Sequence, residues 1–115
     1  MHELGIVLNV IDRVEEIAKE NNVKKVTKLT LEIGEVSSIV PSYSSDCFEW
    51  AKKKTDYMKD TELEMIILAG LSSCRDCKKT YKTTEYAKKC PHCGSDDTYL
   101  VTGDEMRIKD IEVIG

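Results

Sequence analysis

Four of the five cysteines fall into two pairs, Cys74-Arg-Asp-Cys77 and Cys90-Pro-His-Cys93, with twelve residues between the pairs. A two-residue gap lets one tight turn aim both thiolates at a single ion. Twelve residues are enough for a short ribbon that brings the two turns together. Zn²⁺ takes four such soft ligands in a tetrahedron, so the spacing predicts a zinc site built from Cys74, Cys77, Cys90 and Cys93. With all four positions filled by sulfur no site stays open for catalysis, and the metal is structural. Pro91 and Gly94 suit the tight backbone of the second turn. Between Leu71 and Gly103 apolar residues thin out, and Lys, Thr, Gly and Cys take over. Such a segment cannot order itself around an apolar core, which leaves the metal to do it. A redox dithiol would need a strand-to-helix context that these flanks do not supply. His92, between the last two cysteines, reads as an exposed turn residue, with a role as an alternative ligand left open. Cys47 reads as a small buried hydrophobe beside Trp50.

The flanking sequence has helical and strand periodicities. Leu4, Val7, Leu8, Val10, Ile11, Val14, Ile17 and Ala18 recur at helical spacing, with Asn21 and Asn22 as stop residues. Leu29, Leu31 and Ile33 then alternate with polar residues up to Gly34, which predicts a strand. Pro41 fits a first helical turn, and Tyr43, Cys47, Trp50 and Ala51 mark one face of a helix reaching about Lys54. Two further strands are expected, Glu62 to Ala69 and Met106 to Ile114, the last with a bulge near Lys109–Asp110 where its alternation slips. The fold class is therefore α+β: two helices packed on a small three-stranded antiparallel sheet, with an inserted four-cysteine zinc-ribbon module. Residues 1–70 plus 104–115 form the first domain and 71–103 the zinc-binding one.

Composition excludes several functions. At 115 residues, with 17 basic and 21 acidic side chains, the chain carries a formal charge of −4, which argues against a general nucleic-acid binder. From Cys74 to Cys93 six basic residues face two acidic ones, so a zinc-ribbon nucleic-acid or protein-interaction module is the alternative function. No apolar run is long enough to span a membrane, and the start lacks the pattern of a signal peptide, which leads to a cytoplasmic expectation. There is no Ser/His/Asp set and no phosphate loop, and no enzyme is expected.

The first three residues form a second metal-ligand constellation. The Met1 amine, the backbone nitrogens of His2 and Glu3, and the His2 imidazole can close five- and six-membered chelate rings around one small cation. Square-planar nitrogen coordination suits Ni²⁺ or Cu²⁺. A helix starting near Leu4 helps, because its first N–H groups have no intrahelical acceptor. The bland reading is that Glu3 merely favours the positive end of that helix.

Met1-His2-Glu3 opening into an amphipathic helix, Cys90-Pro-His-Cys93-Gly94-Ser95, and the closing Gly103-Asp-Glu-Met-Arg-Ile-Lys-Asp-Ile-Glu-Val113 together resemble the HypA/HybF family of hydrogenase-maturation nickel metallochaperones. The resemblance spans essentially the whole chain. It implies that Met1, His2 and Glu3 bind Ni(II), with His2 essential, and that Cys74, Cys77, Cys90 and Cys93 hold structural Zn(II). It implies delivery of nickel for the [NiFe] hydrogenase large subunit together with the nickel-handling GTPase HypB, and some members also serve urease. Some members carry histidines just after their cysteine pairs, where this chain has Lys79 and Ser95. A homodimer made by exchange of the closing strand stays open.

Overall fold

A computed structural model of the chain describes residues 2–115, with His2 described by its backbone alone. The elements in order are α1 (His2–Glu20), β1 (Lys25–Gly34), α2 (Pro41–Ala51), β2 (Glu62–Leu68), β3 (Leu71–Cys74), β4 (Thr80–Lys82), α3 (Thr83–Tyr86), β5 (Thr98–Thr102) and β6 (Met106–Ile114). They make two sheets, ordered β2-β1-β6 and β4-β3-β5. The contacts divide the chain into two compact units, residues 1–32, 39–66 and 107–115, and residues 33–38 and 67–106.

In the first unit α1 buries Val7, Ile11, Val14 and Ala18, the stripe that the sequence periodicity marks. It stops where the asparagines stand. Asn22 adopts a left-handed φ of 53°, and Val23 N–H donates back to Ala18 O at 2.9 Å, which caps carbonyls that would otherwise be orphaned. The central strand β1 buries Val26, Leu29 and Leu31. α1 packs against α2, which begins at Pro41 and buries Ser44, Cys47, Phe48 and Ala51. That face lies about one residue round from the expected one: Phe48 enters the core, while Trp50 is 53% exposed under the Lys54 ammonium. Phe48 suits the core position because its ring carries no polar atom, whereas a buried Trp50 would leave an indole N–H to satisfy. A 3₁₀ turn, Lys52–Lys54, completes the helix.

The helices-and-sheet architecture is the expected one, with one difference in strand sense. Thr61 Oγ1 donates to Val26 O at 2.6 Å, and Thr30 Oγ1 pairs with Glu64 Oε1 at 3.5 Å, so numbering along β2 and β1 rises together. β2 therefore runs parallel to β1 and the sheet is mixed, because α2 is a crossover between neighbouring strands and returns the chain in its original direction. Thr27 bonds Glu112 O and Arg107 pairs with Glu32, so β6 is antiparallel to β1. In β6 the half-buried Met106 and Ile108 are followed by exposed Lys109 and Asp110 before Ile111, and the burial pattern slips where the sequence predicts a bulge.

The second unit takes in more than the Cys-rich segment. Gly34 N–H donates to Glu105 O at 2.7 Å, Glu35 N–H to Leu68 O at 2.9 Å and Val36 N–H to Gly103 O at 2.9 Å, tying residues 33–38 to this unit. A Cβ on Gly34 would lie 1.8 Å from Gly103 O, so the two backbones approach as only glycine allows. β3 pairs antiparallel with β4 and β5, and the single-turn α3, absent from the sequence reading, follows β4 directly.

Candidate metal centre

Each cysteine pair sits in the same backbone turn. Lys78 N–H donates to Cys74 O at 2.8 Å and Gly94 N–H to Cys90 O at 2.9 Å. Cys74 N–H donates to Lys79 O and Cys90 N–H to Ser95 O. The fourth residue after each leading cysteine is left-handed, with φ 62° at Lys78 and 77° at Gly94. The two turns are thus copies of one knuckle, one closed by glycine and the other by a lysine that tolerates strain.

The knuckles meet. All four Sγ atoms lie within 4.8 Å of one another, with Cys74–Cys93 at 3.5 Å and Cys77–Cys90 at 3.6 Å. Four thiolates at about 2.3 Å from a central ion would stand about 3.8 Å apart, so the cluster is already close to a tetrahedral site. The donor set is soft sulfur, which suits Zn²⁺ and leaves no position for water. Cys74 and Cys90 are buried, Cys77 is half-buried and Cys93 is exposed.

Proton affinities differ around the cluster. The Cys77 backbone N–H, with help from that of Asp76, pulls the Cys74 thiol down to about 7 against the opposing effect of burial. At Cys93 the Ser95 N–H lowers the value, but the neighbouring thiols Cys74, Cys77 and Cys90 together with burial outweigh it and push the thiol up to about 12. Cys77 is also raised, since burial and the Cys90 and Cys74 thiols overcome the Lys79 N–H. A divalent cation at the centre favours the thiolate form of every ligand and so works against these upward shifts.

Side chains outside the cluster hold the knuckles together. Ser95 Oγ bonds Asp76 Oδ2, and Arg75 pairs with Asp97 at 3.1 Å while lying over the Tyr99 ring. His92 is exposed, and its Nε2 lies 3.2 Å from Thr80 O, so its ring is engaged with β4. Tyr81 is a further residue of the centre that the cysteine spacing does not mark. This buried ring packs with Cys74, Cys77 and Cys90, and its hydroxyl donates to Ala87 O at 2.7 Å. The cue was present: Tyr81 is the sole large apolar residue between the pairs at a strand position, flanked by Thr80 and Lys82.

Of the N-terminal constellation, the Met1 amine and the His2 imidazole lie outside the described residues. Glu3 lies in the first turn of α1, and its carboxylate accepts the Val40 N–H at 3.4 Å, just ahead of α2. Cys47 is buried as expected. Among the described residues no helix is long and apolar enough to cross a membrane.

The profile of the family described as "Hydrogenase/urease nickel incorporation, metallochaperone, hypA" matches residues 1–113. Hydrogenase maturation factor HypA from Actinobacillus succinogenes is 38% identical over 113 residues, 98% of this chain and 99% of that protein. The factor of the same name from Aeromonas hydrophila is also 38% identical over the same shares. The solution structure of the Ni metallochaperone HypA from Helicobacter pylori superposes with a TM-score of 0.75 at 27% identity, covering 97% of each chain. The chain belongs to the HypA family of nickel-incorporation metallochaperones, proteins that carry metal and are not enzymes.

Proposed function

We propose that this chain carries Ni²⁺ as cargo at its first three residues and delivers it for maturation of the [NiFe] hydrogenase large subunit, in concert with the GTPase HypB in the cytoplasm. The observation that carries the reading is Met1-His2-Glu3 at the head of α1 in a chain matched from end to end by a nickel-incorporation family. The first amides of a helix have no intrahelical acceptor, so the His2 and Glu3 nitrogens can turn to a metal without dismantling α1. The amine and the His2 imidazole complete a four-nitrogen set that suits Ni²⁺. Residues 1–70 plus 104–115 do this work. Residues 71–103 are the zinc-binding domain, where Zn²⁺ on Cys74, Cys77, Cys90 and Cys93 joins the two knuckles. The two sites suit opposite tasks. A cargo site with few ligands at the chain's start can release its ion, whereas four thiolates locked in knuckles hold theirs.

Calorimetry on untagged, zinc-loaded protein tests this. His2→Ala is expected to lose nickel binding while keeping one zinc per chain. Nickel binding by His2→Ala as tight as that of the parent would overturn the assignment.

A further inference from the structure

β5 is an outer strand of its sheet, hydrogen-bonded to β3 on one side only, and it exposes Tyr99, Leu100 and Val101 in succession. An outer strand presents a row of backbone N–H and C=O groups and is normally defended. Here the defence is partial. The pairing of Leu71 with Thr102 and of Ser72 with Leu100 leaves Val101 as an extra residue, a bulge at one end, while Thr98–Leu100 stays in regular register.

The two faces beside this strand differ in chemistry. Ser72 and its partner Leu100 lie on one face, against a groove of about 360 Å³ that is also lined by Val36, Ala87, Lys88 and, at its rim, Tyr99, which borders both recesses. Ser73 and its partner Tyr99 lie on the other, against a recess of about 460 Å³ lined by Arg75 and Lys78. Arg75 is paired with Asp97, but Lys78 and Lys88 are exposed and make no ion pair among the described residues. Successive side chains of an added strand point to alternate faces, so every second one would enter each recess.

We propose that β5 is a strand-addition site for an extended, acidic segment of a partner protein, in which carboxylates alternate with aliphatic side chains. The aliphatic set lies along Leu100 and Val36 and the carboxylates reach Lys78, with Lys88 meeting acid at the segment's end. The cations on both sides select against pairing of β5 with its own copy, because two such strands would bring the lysines face to face. This role is independent of nickel, although Cys74 of the metal centre forms part of the wall of the Lys78 recess.

The test titrates isotope-labelled, zinc-loaded full chain with an acetylated, amidated peptide of three Glu-Val repeats, followed by amide NMR. Saturable shifts centred on 98–102 are expected. The double variant Lys78→Glu, Lys88→Glu should weaken binding by about tenfold and recover it with a peptide of Lys-Val repeats. Two peptides N-methylated at alternate residues in opposite phase should differ, one losing binding and the other keeping it, since only one set of amides faces β5. Zinc content and the spectrum of the free variant report that the fold is intact. Absence of saturable binding, shifts centred elsewhere, equal loss or equal retention in both methylated phases, or indifference to charge reversal would overturn the proposal.

Discussion

The equivalence of the two knuckles allows an exchange experiment whose sign is set by the backbone alone. Gly94 holds a φ of 77°, and a Cβ built there meets nothing within 4 Å. Gly94→Ala therefore adds no clash and isolates the cost of holding an L-residue left-handed, about 1 kcal/mol net of the entropy it removes from the unfolded chain. Lys78 already bears that cost at φ 62°, so Lys78→Gly should recover a similar amount. A segment that the metal orders transmits its folding energy to metal affinity, and 1 kcal/mol corresponds to about a fivefold change. Competition with a chromophoric zinc chelator is the assay. Gly94→Ala should bind zinc about fivefold more weakly, and Lys78→Gly up to about fivefold more tightly. The exchanged double variant, Lys78→Gly with Gly94→Lys, should return close to the parent. Gly94→Ala with unchanged affinity, or Lys78→Gly with weaker binding, would refute the claim that the two turns are one geometry used twice.

Three other perturbations follow from the packing and the thiols. Gly34→Ala puts a Cβ into the Gly103 carbonyl and must open the Gly34–Glu105 and Val36–Gly103 backbone bonds, so a loss of about 3–5 kcal/mol is expected by chemical denaturation; a loss below about 1 kcal/mol would contradict the close approach. Phe48→Ala should cost about 3–5 kcal/mol and Trp50→Ala less than about 1 kcal/mol, and the reverse ranking would restore the helix face expected from sequence. Because the Cys74 proton is already shed above a pH of about 7, zinc binding should displace one proton fewer at about pH 8 than at about pH 6, as counted by calorimetry in buffers of different ionisation enthalpy. An unchanged count would show that no thiol of the cluster titrates between those two pH values, against the lowered Cys74.

Much of the architecture could be read from local chemistry. The α1 stripe, its stop at Asn21–Asn22 and the β1 alternation depend on neighbours two to four positions away, and all appear where the periodicity puts them. The four cysteines needed only their spacing. What sequence hid depends on long-range geometry. The parallel sense of β2 is set by α2 acting as a crossover, which a reading of β2 alone cannot reveal. The choice between Phe48 and Trp50 turns on a rotation of about one residue, and a short helix with Tyr43, Cys47, Phe48, Trp50 and Ala51 offers both faces. Tyr81 closes the metal centre from a three-residue strand, too short for alternation to register. The nickel constellation is the opposite case. It rests on three consecutive residues and leans on the fold only through the free amides of the first turn.

The most direct measurement of the central claim is the number of protons released when Ni²⁺ binds untagged, zinc-loaded protein near neutral pH. A site made of the Met1 amine, the amides of His2 and Glu3, and the His2 ring must shed about three protons, two of them from backbone nitrogen. A protein extended by Gly-Ser ahead of Met1 must lose that release along with the affinity. Release of fewer than about one proton, or the same release from the extended protein, would show that the nickel sits elsewhere.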